Sequence, residues 1–124
     1  MAILEETAMS SILFIINDAP YGNERAYNAL RLAGVLAGKE DQRVRVFLLA
    51  DAVGCAKAGQ KVLEGYYNVQ LMLGKVLHKG ELALCGTCMD ARGLGDAELI
   101  EGAHRSTLAQ LADWTVDADK VLVF

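Results

Sequence analysis

Ser11-Ile12-Leu13-Phe14-Ile15-Ile16-Asn17 is a continuous apolar run closed by the turn formers Asp18-Ala19-Pro20-Tyr21-Gly22. Apolar residues without alternation predict a strand covered on both faces, as in the interior of a parallel sheet. Asn23 predicts a helix N-cap, with Glu24 in the first turn. Ala26, Leu30, Ala33 and Ala37 share a helical face, and Gly38 is a natural stop. Arg43-Val44-Arg45-Val46-Phe47-Leu48-Leu49 begins by alternating and ends apolar, which predicts a second strand. Strand, helix, strand is the right-handed crossover of a parallel sheet.

The same alternation continues along the chain. Asp51 to Gln60, rich in small residues, reads as a loop with one helical turn. Val69, Met72, Leu73, Val76 and Leu77 fall at i, i+3, i+4, i+7 and i+8 of a helix that Gly80 closes. Glu81 to Cys85 predicts a third strand. Leu94 to Gly102 shows short helical character at most. Ser106 or Thr107 caps a last helix through Leu108, Leu111, Ala112 and Thr115, and Lys120 to Phe124 predicts a final strand. The fold class is therefore α/β: a three-layer α/β/α sandwich around a mostly parallel sheet of four or five strands.

The 124 residues make one domain over 11–124, with residues 1–10 expected as a flexible N-terminal extension. Hydrophobic residues reach 53% but aromatics only 6%, so the apolar content is small and aliphatic. In a domain this size that surplus predicts a buried oligomer interface. A formal charge of −4 argues against nucleic acid or an anionic membrane as partner. No stretch approaches a bilayer span and Met1 to Ser10 carries no basic residue, so a cytoplasmic location is expected. Three cysteines, an odd number, then predict thiols rather than a disulfide framework.

Leu82-Ala83-Leu84-Cys85-Gly86-Thr87-Cys88-Met89-Asp90-Ala91-Arg92-Gly93 carries the chemistry. Loops at the carboxyl ends of parallel strands face the crevice where ligands gather. The loops Asp18–Gly22, Asp51–Gly59 and Cys85–Gly93 meet at that edge and define the candidate site. A cysteine ending a strand and opening a helix has its thiolate favoured. Spacing alone leaves Cys85 open between a working thiol and a buried structural cysteine. The C-x-x-C formed with Cys88 suits disulfide exchange, though no Trp precedes it and it follows the third strand, unlike thioredoxin. It supplies half of a zinc site, and Cys55, His78 and His104 are not paired at metal spacing, so no metal is expected. His78 and His104 read as surface or capping residues, Cys55 as packing, and Trp114 as core or interface. Asp90 and Arg92 read either as a solvated ion pair or as charges acting on Cys85. Tyr21 and Asp18 are candidates for a pocket mouth. No nucleotide fingerprint occurs, and no cofactor is expected.

Several segments taken together resemble the DsrE/DsrF-like family, most closely its small YchN-type members. They are Ala19-Pro20-Tyr21-Gly22, Phe47-Leu48-Leu49-Ala50-Asp51-Ala52-Val53, Gly59-Gln60, Gly65-Tyr66, Leu84-Cys85-x-Thr87-Cys88-x-Asp90-x-Arg92-Gly93, Trp114-Thr115 and Ala118-Asp119-Lys120-Val121-Leu122. The resemblance runs from about Ile12 to Phe124. It implies a parallel α/β sandwich and a homo-oligomer built from trimers, a hexamer. In the family's sulfur-relay branch one cysteine carries a persulfide ahead of an Arg-Gly pair, which falls here on Cys85 with Arg92-Gly93 behind it. Cys88 departs from the relay pattern but matches the YchN-type one. The expectation is a sulfur-handling protein: Cys85 accepts sulfane sulfur and passes it to a partner thiol, Cys88 modulates or resolves it, and Tyr21, Asp51, Asp90 and Arg92 shape the pocket. Sulfur donor and acceptor proteins would be its partners. The alternatives are a non-catalytic oligomeric binding module with structural cysteines, and a thiol–disulfide redox protein using Cys85 and Cys88.

Overall fold

A computed structural model describes residues 9–124. Its strands are β1 (Ser10–Ile16), β2 (Gln42–Leu48), β3 (Glu81–Cys85), β4 (Ala103–Ser106) and β5 (Lys120–Val123). Its α-helices are α1 (Arg25–Ala37), α2 (Val69–Leu77), α3 (Gly86–Ala91) and α4 (Leu108–Asp117). Two 3-10 segments, Ala50–Ala56 and Asp96–Glu98, fill the loops after β2 and α3. The strands form one parallel sheet in the order β4-β3-β2-β1-β5. Ser10 already opens β1 opposite Gln42. The rest of the expected extension, apart from Met9, lies outside the described residues.

The period-two rule sorts the strand residues onto two faces. Ile12, Phe14, Ile16, Val44, Val46, Leu48, Leu82 and Leu84 pack with the inner faces of α1 and α2. Leu13, Phe47, Ala83 and Cys85 face the other way, onto Leu111 and Trp114 of α4. Among the described residues a single helix thus spans the second face. Phe47 meets Trp114 edge-on at 5.9 Å, so Trp114 is core. Arg45 is buried on the same face, its guanidinium 5.2 Å from the Trp114 ring and its Nη2 3.3 Å from Asp117. That contact desolvates the charge against an aromatic face rather than leaving it in an aliphatic core.

Local chemistry explains most boundaries. Asn68 caps α2 by accepting from Leu71 N–H at 3.2 Å, and Thr107 caps α4 by accepting from Gln110 N–H at 3.2 Å. The expected cap at Asn23 sits one residue further out: its Oδ1 takes the Arg25 N–H at 2.9 Å, and Glu24 occupies the boundary. The largest departure is β4. The sequence assigns residues 103–105 to no element and offers Ser106 only as a helix cap, yet residues 103–106 form an edge strand beside β3, with His104 on it and exposed.

Candidate functional site

Cys85 is both the last residue of β3 and the N-cap of α3. The residue is 8% exposed. The Cys88 N–H points at its sulfur at 3.4 Å, and the Thr87 Oγ1 lies 3.1 Å away. Burial works against a thiolate here. Hydrogen bonds from the Cys88 thiol, the Thr87 hydroxyl and the Cys88 and Thr87 backbone outweigh it and hold Cys85 below the ordinary thiol value. Cys88 goes the other way, pushed up by burial and by its hydrogen bond to Cys85, with the Ala50 backbone and Arg92 opposing. The two thiols are thus differentiated, Cys85 toward thiolate and Cys88 toward thiol. Cys55 is fully buried, and burial pushes its thiol up to about 12.

The three loops expected at this edge do meet. Arg92 donates to Asp51 Oδ1 through Nε at 2.9 Å and Nη2 at 2.8 Å, joining the loop after β3 to the loop after β2. Its Nη1 also donates to the Cys88 carbonyl at 3.0 Å. Gly54 sits where an added Cβ would lie 3.6 Å from Pro20. The Asp90–Arg92 ion pair, one of the two readings of these residues, does not form. Residues two apart on a helix face different directions, and Asp90 instead meets Arg105 at 3.0 Å. Tyr21 lies on the α1/α2 face rather than beside Cys85. It hydrogen-bonds Gln60, accepts the Val69 N–H at 3.0 Å and stacks on Tyr67. Asp51 and Arg92 line a separate hollow of about 180 Å³ with Lys57, Leu94 and Glu98.

Cys85 itself opens on a cleft of about 530 Å³ lined by Gly86, Thr87, Asp90, Arg105, Ser106 and Leu108. Arg105 was not singled out in the sequence, and it holds this cleft together. Its Nε donates to Asp96 at 2.8 Å, and its Nη1 to Asp90 and to the Gly86 carbonyl, both at 3.0 Å. Gly86 permits the approach, since a Cβ there would lie 3.0 Å from both Cγ and Nη1 of Arg105 and 3.2 Å from the Ser106 carbonyl. A Gly86→Ala chain is therefore expected to lose about 1–3 kcal/mol, the usual cost of overpacking, and to relax the Cys85 segment. Urea unfolding together with the Cys85 alkylation rate checks this, and an unchanged midpoint with an unchanged rate would show that Arg105 simply swings aside.

Among the described residues no three His, Cys, Asp or Glu side chains gather to hold a metal, and no helix is long and apolar enough to cross a membrane.

A parallel α/β sandwich presenting a C-x-x-C between a strand end and a helix start defines a class of thiol-bearing α/β domain. The chain belongs to the DsrE/DsrF-like family, whose model matches residues 10–124. It is 45% identical over 118 residues to protein YchN of Escherichia coli strain K12, covering 94% of this chain and all of that one. The crystal structure of that E. coli protein superposes with a TM-score of 0.88 over the same coverage. An uncharacterised protein of Methanopyrus kandleri is 38% identical over 113 residues, 91% of this chain and 93% of its own. A protein of unknown function from Methanobacterium thermoautotrophicum, 12% identical, shares the fold with a TM-score of 0.71 over 94% of this chain and 99% of that one.

Proposed function

We propose that the protein handles sulfur by carrying sulfane sulfur as a persulfide on Cys85 and delivering it to a partner thiol. Family membership supports a role related to sulfur relay. The observation that carries the reading is the Cys85 sulfur itself: a thiol shifted toward thiolate, hydrogen-bonded by Thr87 and the Cys88 N–H, and facing an open cleft. A thiolate is the form that attacks a sulfane sulfur, and donors fixed around it also stabilise a terminal sulfur anion. Asp90 shapes the mouth of the cleft through Arg105, Arg92 and Asp51 back the Cys88 side, and Tyr21 braces the neighbouring loop.

The working form in this proposal is a cytoplasmic homo-oligomer built from trimers, a hexamer, exchanging sulfur with donor and acceptor proteins. Uncovered apolar surface supports association: Leu108 is 70%, Val116 88% and Val123 64% exposed. Leu108 and Val116 lie on α4, and Val123 pairs in register with Ile15.

Intact mass spectrometry tests the carrier step. After incubation with a low-molecular-weight persulfide, the Cys88→Ser chain is expected to gain one sulfur, removable by reductant or by an acceptor thiol. Cys85→Ser should gain none. A Cys88→Ser chain that takes up no sulfur sinks the reading.

A further inference from the structure

We propose a second activity for the site: Cys88 attacks the persulfide on Cys85 and releases its outer sulfur as hydrosulfide, leaving a Cys85–Cys88 disulfide. This rests on the persulfide reading of Cys85 and assigns the fate of sulfur that no acceptor removes.

The groups around the two sulfurs differ. The cleft that admits a donor is lined by Cys85 but not by Cys88. Its size, about 530 Å³, is that of a small-molecule site. Cys88 lies one helical turn on, its N–H already on the Cys85 sulfur. Side chains three apart on a helix have Cβ atoms about 5–6 Å apart, and a disulfide needs about 3.5–4.5 Å, so a small rotation of the first turn closes the bond.

Behind Cys88 stands a second set of groups with no part in loading Cys85. Ala50, which opens the 3-10 segment after β2, is the one non-glycine residue among those described with a positive φ, 49°. An L residue adopts that conformation at a cost, and such outliers cluster where backbone geometry serves a site. The Ala50 backbone favours negative charge on Cys88. The Arg92 guanidinium is fixed on the same side by Asp51 and by the Cys88 carbonyl. Both groups favour negative charge on Cys88. What opposes it is burial and the adjacent Cys85 sulfur. Once the charge on Cys85 moves one atom outward onto the persulfide, that second restraint weakens while Ala50 and Arg92 stay in place.

The step balances. The Cys88 sulfur bonds to the inner sulfur of Cys85, the bond to the outer sulfur breaks, and the Cys88 proton leaves with it as HS⁻. The outer sulfur is reduced and the two cysteines are oxidised, so the persulfide is itself the oxidant. A dithiol reductant returns the pair to thiols.

The test loads the purified full chain with cysteine persulfide, traps sulfide with an alkylating bimane and records intact mass. Wild type is expected to release one equivalent of hydrosulfide per chain and end lighter by two hydrogens, the loss reversed by dithiothreitol. Cys88→Ser, and Cys88→Ala as a second variant, keep the added sulfur and release no burst. Arg92→Gln slows the release about fivefold, the scale of one charge interaction at a protein edge, and moves its pH profile alkaline, which a purely structural role would not do. If wild type holds the added sulfur as long as Cys88→Ser does, the release activity is refuted and the carrier reading stands. If no variant takes up sulfur, the carrier reading itself has failed.

Discussion

At pH 7 a small alkylating agent is expected to consume Cys85 first in the folded protein, faster than Cys55 by more than about 10³-fold, and Cys85→Ser is expected to abolish that fast phase. Two effects multiply. Cys55 has no exposure, and with its thiol near 12 only about one part in 10⁵ is thiolate at neutral pH. Cys85 lies below the ordinary value and touches an open cleft. Its rate should therefore level off at a lower pH than a free cysteine's, and Thr87→Val, which removes one donor, should shift the profile alkaline. The stability linkage runs oppositely at the two thiols. Cys85 is depressed, so its contribution is present above the unfolded value and is lost as pH falls through the folded one. Cys55 is raised, so its contribution is complete below the ordinary 9.0 and is lost as pH climbs from there toward about 12. Alkaline unfolding should follow Cys55, and Cys55→Ala should flatten that limb. Mass-resolved labelling over time reads the first result. Equal labelling of Cys55 and Cys85 in the native protein would overturn it.

What the sequence made legible tracks where the physics is local. The runs at Ile12–Ile16 and Val44–Leu48 bury both faces, so composition alone identifies them as central strands. The cap at Asn68 and the periodic face Val69, Leu73 and Val76 are equally local. β4 has no such signature. Ala-His-Arg-Ser alternates nothing apolar, and its extended form comes from pairing with β3 at the sheet edge, a tertiary effect. That pairing also hid Arg105. The residue is twenty positions from Cys85, and only the register placing Ser106 opposite Cys85 brings it over Gly86. Tyr21 shows the converse error. Its loop does reach the carboxyl edge, but the chain turns the ring toward Tyr67 and Gln60 on the far face. Converging loops in a parallel sheet share an edge, not necessarily a face. The asymmetry within the C-x-x-C was likewise hidden, because it depends on Thr87 and Cys88 placing donors on the Cys85 sulfur while burial and that same sulfur hold Cys88 up.

Gly80→Ala is expected to be among the most damaging single-methyl additions to this chain, at about 3 kcal/mol, the upper end of ordinary overpacking costs. A stop glycine suggests a left-handed cap, but no positive φ occurs at Gly80. Its constraint is space. A Cβ there would lie 2.6 Å from the Val44 carbonyl oxygen, 2.9 Å from that of Val76 and 3.3 Å from Val76 Cγ1. Two of the three are backbone atoms, one in β2 and one in α2, so no side chain can rotate away. Relief requires the end of α2 to separate from β2, and Gly80 leads straight into Glu81, where β3 begins pairing with Arg45. The strain therefore passes into the strand that ends on Cys85. Gly34→Ala, in the middle of α1 with nothing within 4 Å of the new Cβ, is the matched control. It should gain up to about 1 kcal/mol from helix propensity. Urea melts of the two variants should move in opposite directions with similar slopes. For a domain with about 5–15 kcal/mol of total stability, a loss of this size also raises the population of opened states, so Cys55 should begin to label in Gly80→Ala while remaining silent in Gly34→Ala. A Gly80→Ala midpoint equal to wild type would mean that β2 and α2 do not meet as closely as the Val44 and Gly80 backbones indicate.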